Sequence, residues 1–425
     1  MKKSEPNVWR QLKLSDCITL RSGGTPSKSN PDYWKGEIPW VTCKDMKTNR
    51  LYDSEDHVTE LGATEGTRLV PKGTILIVVR GMILAKEFPV AIAQRPVTFN
   101  QDLKGVECQE CVSSSFMYYW LVGNAYEIKG IADEAAHGTK RLQTDRLLNL
   151  PISLPPAFTQ HKISGILSAY DDLIELNTRR IAILEEIAQS LYREWFINFR
   201  FPGHEKVKLV DSPLGKIPAG WSSARLSDIA EINALSIKKG MEPEKINYID
   251  IASVSTGKVD EVRLLPFSQA PGRARRIVRH GDLIWSTVRP NRKSYSLILN
   301  PLPNTIVSTG FAVISGTKAP FSYLYHSLTT EDFVGYLVNH ATGSAYPAVN
   351  SGDFEKAPVL VPSDDVLGAF HKITEPMFLA QHSMMQKNKK LRASRDLLLP
   401  KLVSGELDVE DLDIEVGQTI VGAAG

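Results

Sequence analysis

The feature that most constrains this chain is a heptad helix that runs without a break into an aromatic stop and a Pro-Gly exit. It lies in residues 173–205, LIELNTRRIAILEEIAQSLYREWFINFRFPGHE. Positions 163, 170, 177, 184 and 191 carry Ile, Tyr, Asn, Leu and Leu, and positions 166, 173 and 187 carry Ile, Leu and Ile. That is an a/d seam, the pattern of a helix paired with another helix. Leu167, Ile174, Ile181 and Ala188 widen the stripe. The face completed by positions 174, 181 and 188 has no obvious partner within the chain, so it predicts contact with something further. At about 1.5 Å per residue, residues 160–199 span roughly 60 Å. Asn177 and Arg180 interrupt the seam with polar groups of the kind that fix register.

A weaker twin steps through Phe370, Ile373, Met377, Ala380, Met384, Leu391 and Leu398 and stops at LVSGEL, where Gly405 suits a helix C-cap. The repetition extends beyond the helices. Trp9-x4-Leu14-Ser15-Asp16 returns as Trp221-x4-Leu226-Ser227-Asp228, and Gly73-Thr74-Ile75-Leu76-Ile77 as Gly281-Asp282-Leu283-Ile284-Trp285. Phe116-x-Tyr118-x-Trp120 is matched by Phe321-x-Tyr323-x-Tyr325, and His137-Gly138-Thr139 by Thr342-Gly343-Ser344. Each copy ends in LPISLPP or APVLVPS just before its long helix. The predicted plan is α+β: two mixed α/β domains of about 150 residues, each followed by a helix of about 40, related by an internal pseudo-two-fold repeat. The boundaries read as 1–159 for the first domain, 160–200 for the central helix, 201–366 for the second domain and 367–404 for the C-terminal helix. Residues 405–425 form an acidic tail, six acids without a base between positions 406 and 415, expected to be solvated and flexible.

The 42% hydrophobic and 23% charged residues are an ordinary globular balance that several cores can absorb. No apolar run approaches the about 18 residues of a membrane span and MKKSEPNVWR lacks a signal-peptide core, which predicts a cytoplasmic protein. Cys17, Cys43, Cys108 and Cys111 are too few for a disulfide framework in so long a chain, and Cys108-x2-Cys111 has no second pair to complete a zinc spacing. Neither a G-x-x-x-x-G-K-[ST] nor a G-x-G-x-x-G loop is present, so ATP and S-adenosylmethionine pockets of those types lack support. Asn30-Pro31-Asp32-Tyr33 resembles the N-P-P-Y signature of adenine methyltransferases but departs at its third position and follows the polar loop SGGTPSKS. It reads as a turn with a packed Tyr33-Trp34 pair. A stand-alone DNA adenine methyltransferase with an unrecognised cofactor site is the alternative reading of the chain.

The net charge of +2 is unevenly spread: residues 271–293 hold seven Arg or Lys against one acid. Arg, Asn and Gln can pair with base edges, whereas Lys and Ser position phosphates. On that chemistry, candidate DNA contacts in the first domain are Ser27, Lys28, Asn30, Lys44, Lys47, Arg80, Asn100, Gln101, Thr139, Lys140 and Arg141. In the second they are Lys238, Lys239, Ser253, Ser255, Arg273, Arg275, Arg276, Arg289, Asn291, Arg292, Ser344 and Tyr346. Residue types differ at matched places, which predicts two different half-sites.

RRIAILEEIAQSLYREWFINFRFPGHE resembles the central conserved region of the specificity subunits of type I restriction-modification systems. SGGTPSKSNPDYWKGEIPWVTCKDM (22–46), HATGSAYPAVNSGDF (340–354) and LLLPKLVSGEL (397–407) are similar to further segments of that family, in the same order along the chain. The resemblance implies two target-recognition domains, each reading half of a split DNA site, joined by two long antiparallel coiled-coil helices. These act as a spacer and dock two methyltransferase subunits; two restriction-translocation subunits join for cleavage. It further implies that this chain is not itself an enzyme and carries no cofactor, the S-adenosylmethionine, ATP and Mg sites lying on the partners.

Overall fold

In a computed structural model of the chain, residues 8–134 and 138–414 are described. The first seven residues, His137 of the HGT segment and residues 415–425 of the acidic tail lie outside the described residues. The chain divides into two compact units, residues 1–175 with 388–425, and residues 176–387. This division cuts through both long helices, so each unit owns a piece of each.

In the first unit Arg10–Lys13 pairs antiparallel with Pro151–Leu154. A five-stranded sheet has the order Ile18–Ser22, Leu103–Cys108, Ile75–Val78, Val90–Ala93, Arg50–Leu51. Beside it Trp34–Val41 lies between antiparallel Asp56–Val58 and parallel Thr98–Phe99. Gly23 permits this packing, since a Cβ there would stand 2.1 Å from the Phe99 carbonyl oxygen.

The second unit repeats the plan. Ser222–Arg225 pairs with Pro358–Val361, and a sheet runs Ala230–Ile232, Phe311–Gly316, Leu283–Ser286, Tyr295–Leu297. The parallel partnership recurs between Lys245–Ile249 and Thr305–Ser308. Even the turns match. Asp16 accepts from the Lys13 backbone N–H at 3.0 Å and Asp228 from that of Arg225 at 2.9 Å. Leu14 N–H donates to Leu150 and Leu226 N–H to Ala357, both at 2.9 Å. The repeated Leu-Ser-Asp is thus a local device: an acid that caps a short turn, and a buried leucine that anchors it. The aromatic triplets lie on helices Ser114–Gly123 and Phe321–Ser327 and turn into their cores.

The long helices span Ala157–Tyr192 and Asp364–Ser404. The first passes into a π turn, Arg193–Ile197, that buries Trp195 and Phe196. Gly405, at φ +80, ends the second; a Cβ there would come 3.0 Å from the Trp9 indole.

Which stripe is buried differs from the sequence expectation. Ile163, Leu167, Ile174 and Ala188 are buried within the chain, whereas Leu173, Leu176, Ile183 and Ile187 are exposed. The row through 174 and 188 therefore does have an internal partner, and the uncovered apolar face lies one position away. Adjacent apolar rows on this helix are nearly equivalent in composition, and only the neighbouring surface chooses between them. Arg180 is exposed. The buried amide is Asn388 of the second helix, donating to the Ile174 carbonyl at 3.1 Å. Buried Thr374 and Gln381 precede it at the same seven-residue step, which is why the apolar pattern of this helix is weak.

Residues 405–414 of the tail are largely exposed, yet their backbone is tied down at one place. The buried Lys162 ammonium donates to the carbonyls of Glu410 at 2.6 Å and Leu412 at 2.8 Å, and Val409 is buried beside it. A buried ammonium requires such acceptors, and backbone carbonyls supply them whatever the side-chain charge of the segment.

Candidate nucleic-acid interface

Each unit presents the same pair of loops at the end of a central strand. In the first, the chain leaving Ile75–Val78 continues to Arg80–Gly81, which pairs with Lys140–Leu142, setting Arg141 opposite Arg80 and Lys140 opposite Gly81. Leu142 N–H donates to Val79 at 2.8 Å. Asp102 holds the Arg80 guanidinium at 2.5 Å and offsets its repulsion from Arg141. In the second, the chain leaving Leu283–Ser286 bridges from Val288 to Ala348, and Val349 N–H donates to Thr287 at 2.9 Å. Arg289, at φ 52, donates its N–H to Pro347 at 2.7 Å. Its guanidinium donates to the Ala345 carbonyl at 3.1 Å and lies 4.5 Å from the Tyr346 ring centroid. The Tyr346 ring is 69% exposed despite that stack.

The structure thus brings together Arg80, Lys140 and Arg141 in one unit and Arg289 and Tyr346 in the other. Thr139 adjoins the first pair; Ser344 and the exposed Asn291 and Arg292 adjoin the second. Ser27 and Lys28 are exposed in the SGGTPSKS loop, which meets Gln101 where Thr25 Oγ1 donates to Gln101 Oε1 at 2.6 Å. Asn30 accepts from the Asp32 N–H at 3.1 Å, so NPDY is a capped turn. Its aromatics do not pack on each other: Tyr33 donates to Glu65 at 2.7 Å and Trp34 meets Trp40 edge-on at 5.1 Å. Lys44 sits 3.0 Å from both Glu55 and Asp56, and their hydrogen bonds hold its proton above the usual lysine range. Lys47 is exposed.

Other candidates divide between buried positions and the surface. Asn100 is buried and shapes its own turn, accepting from the Asp102 N–H at 3.1 Å. Ser253 is buried while Ser255 is exposed. Arg273 meets Asp250 at 2.7 Å, and Arg275 lies 5.1 Å from the Phe267 ring centroid. The exposed Lys238 and Lys239 follow Ile237, whose N–H donates to the Arg275 carbonyl at 2.9 Å. Arg276 is half-buried; its guanidinium serves the Asn233 side-chain oxygen and the Phe311 carbonyl, and burial lowers its proton affinity. Arg275 and Arg276 are thus engaged within their own domain, whereas Arg273 keeps an exposed side chain although it pairs with Asp250. Met82, 69% exposed beside Arg80–Gly81, is a loop-tip residue that the sequence reading passed over, because methionine reads as core.

The sequence profile of the type I restriction modification DNA specificity domain matches residues 6–186. The specificity subunit of the type I restriction enzyme MjaIX, from Methanocaldococcus jannaschii, is 29% identical over 423 aligned residues, covering 96% of this chain and 95% of that protein. Along nearly its whole length the chain is similar to the specificity subunits of type I restriction-modification systems. It is also 32% identical to that of EcoR124I/EcoR124II from Escherichia coli, over 49% of this chain and 55% of the relative. In fold it resembles the crystal structure of the type I restriction-modification S subunit from M. genitalium, with a TM-score of 0.64 at 14% identity, covering 95% of this chain and 98% of that one. Relatives of this description do not favour the stand-alone methyltransferase reading. Among the described residues, no helix is long and apolar enough to cross a membrane.

Proposed function

We infer that this chain reads a split, asymmetric sequence in double-stranded DNA, each recognition domain contacting one half. The observation that carries the reading is the recurrence of one loop pair with different side chains, Arg80, Lys140 and Arg141 in the first copy and Arg289 and Tyr346 in the second. Equal scaffolds with unequal reading groups suit two unlike half-sites. The long helices act as the spacer. Their exposed apolar row, which includes Leu176, Ile183 and Ile187, suits docking of two modification (methyltransferase) subunits. Two restriction-translocation subunits complete the assembly. Bond-making and bond-breaking belong to those partners, with S-adenosylmethionine on the modification subunits and ATP and Mg on the restriction subunits, and this chain supplies recognition without a catalytic group. Methylation mapping of DNA modified by the assembled complex tests the reading. The expected result is one motif of two different half-sites across a fixed unread gap; a continuous or palindromic motif would overturn it.

A further inference from the structure

In the first unit, one turn of the long helix presents three carboxylates, and side chains from two separate elements of the recognition domain close on them. Arg50, on the edge strand of the five-stranded sheet, spans two: its guanidinium donates to Glu175 Oε2 at 2.5 Å and to Asp172. Tyr52 donates to Glu175 Oε1 at 2.5 Å. Tyr119, on helix Ser114–Gly123, donates to Asp171 Oδ2 at 2.9 Å. Arg395 of the second long helix meets the other oxygen of Asp171, and this pair is largely buried.

The second unit lacks this arrangement. Leu154 and Val361 hold equivalent places against Arg10 and Ser222, and counting on equally sets Phe378 opposite Asp171 and His382 opposite Glu175. The charged grip belongs to the first copy alone.

A domain about 30 Å across need tip by only roughly 7° to carry its reading loops one base-pair step of about 3.4 Å. A guanidinium bridging two carboxylates one helical turn apart resists that tilt, because it has a fixed planar fork and two anchoring points. We propose that Arg50, Asp172 and Glu175 are positioning residues that set the pitch of the first recognition domain on its helix and so restrict the length of unread gap the complex accepts. The inference rests on the split-site reading.

The test uses the assembled modification complex and targets carrying the native half-sites with gaps one base pair shorter, equal and one longer. The unaltered complex should prefer its native gap by about tenfold or more, the scale of one misplaced base contact. Arg50→Ala and Glu175→Gln should each bring that ratio below about threefold while the bases read stay the same. Arg50→Lys should fall between, since one ammonium cannot span both carboxylates. Ile77→Val, a core change of comparable cost outside the grip, should leave the ratio alone. An active Arg50→Ala complex with undiminished gap preference overturns the proposal, as does equal relaxation by Ile77→Val. If Arg50→Ala fails to assemble, Glu175→Gln decides by the same ratio. The split-site reading stands or falls separately, on the motif of the unaltered complex.

Discussion

Both units pack apolar side chains on their helix segments and their sheets and turns repeat, but what each adds to that packing differs. The first adds charge: carboxylates on the helix receive Arg50, Tyr52 and Tyr119. The second adds mostly rings. Phe196 lies 4.9 Å from both Tyr323 and Phe370, and Tyr192 stacks on His326 at 5.6 Å. Phe378 stands 5.4 Å from His326 and 5.2 Å from Tyr325. His326 is buried in this cluster with its Nε2 unpaired, and burial pushes its imidazole down to about 4. The contrast teaches that a repeated fold conserves where a contact falls, not the force that makes it. Each joint should therefore have its own weakness.

The largest expected effect is in the aromatic joint. Phe196→Ala removes a fully buried ring that touches Tyr192, Trp195, Trp221, Tyr323 and Phe370. It should cost the second unit about 3–5 kcal/mol, measured by chemical denaturation. A loss under about 1 kcal/mol would mean that the rings fill space without fastening anything.

Acid comes next. Because the folded imidazole of His326 is held neutral below its ordinary range, the unfolded chain binds the proton first. Its contribution is complete above pH about 6.5 and is lost as pH falls toward about 4, by about 3 kcal/mol in all. His326→Leu should flatten that part of the stability curve of the second unit. An unchanged slope would place the acid sensitivity elsewhere.

The smallest effect is expected in the charged joint, where solvent reaches Asp172 and Glu175. Glu175→Gln should destabilise the first unit by only roughly 0.5–1 kcal/mol, and the difference should shrink in high salt. Hydrogen exchange resolved by unit checks this. Equal salt sensitivity in both units would erase the distinction between the joints.

Much of the fold is legible in the amino-acid order because it rests on local chemistry. Leu-Ser-Asp makes its capped turn through bonds within four residues, and Gly405 ends its helix because φ +80 suits glycine. The two copies of these signals reveal the repeat. The candidate interface was legible only by residue type. Arg276 and Arg289 look alike in the sequence, yet one guanidinium is enclosed between Asn233 and Phe311 while the other lies against an exposed Tyr346.

What the amino-acid order determined by itself is periodicity, turn chemistry and duplication, since each follows from the spacing of neighbours along the chain. What only the tertiary structure decided is which of two adjacent apolar rows on the long helix is covered, whether a tail segment rich in acids is free or held by Lys162, and which arginines remain available to a partner. The physical reason is common to all three. Each depends on a surface brought from a distant part of the chain, and a side chain carries no record of whether that surface will meet it.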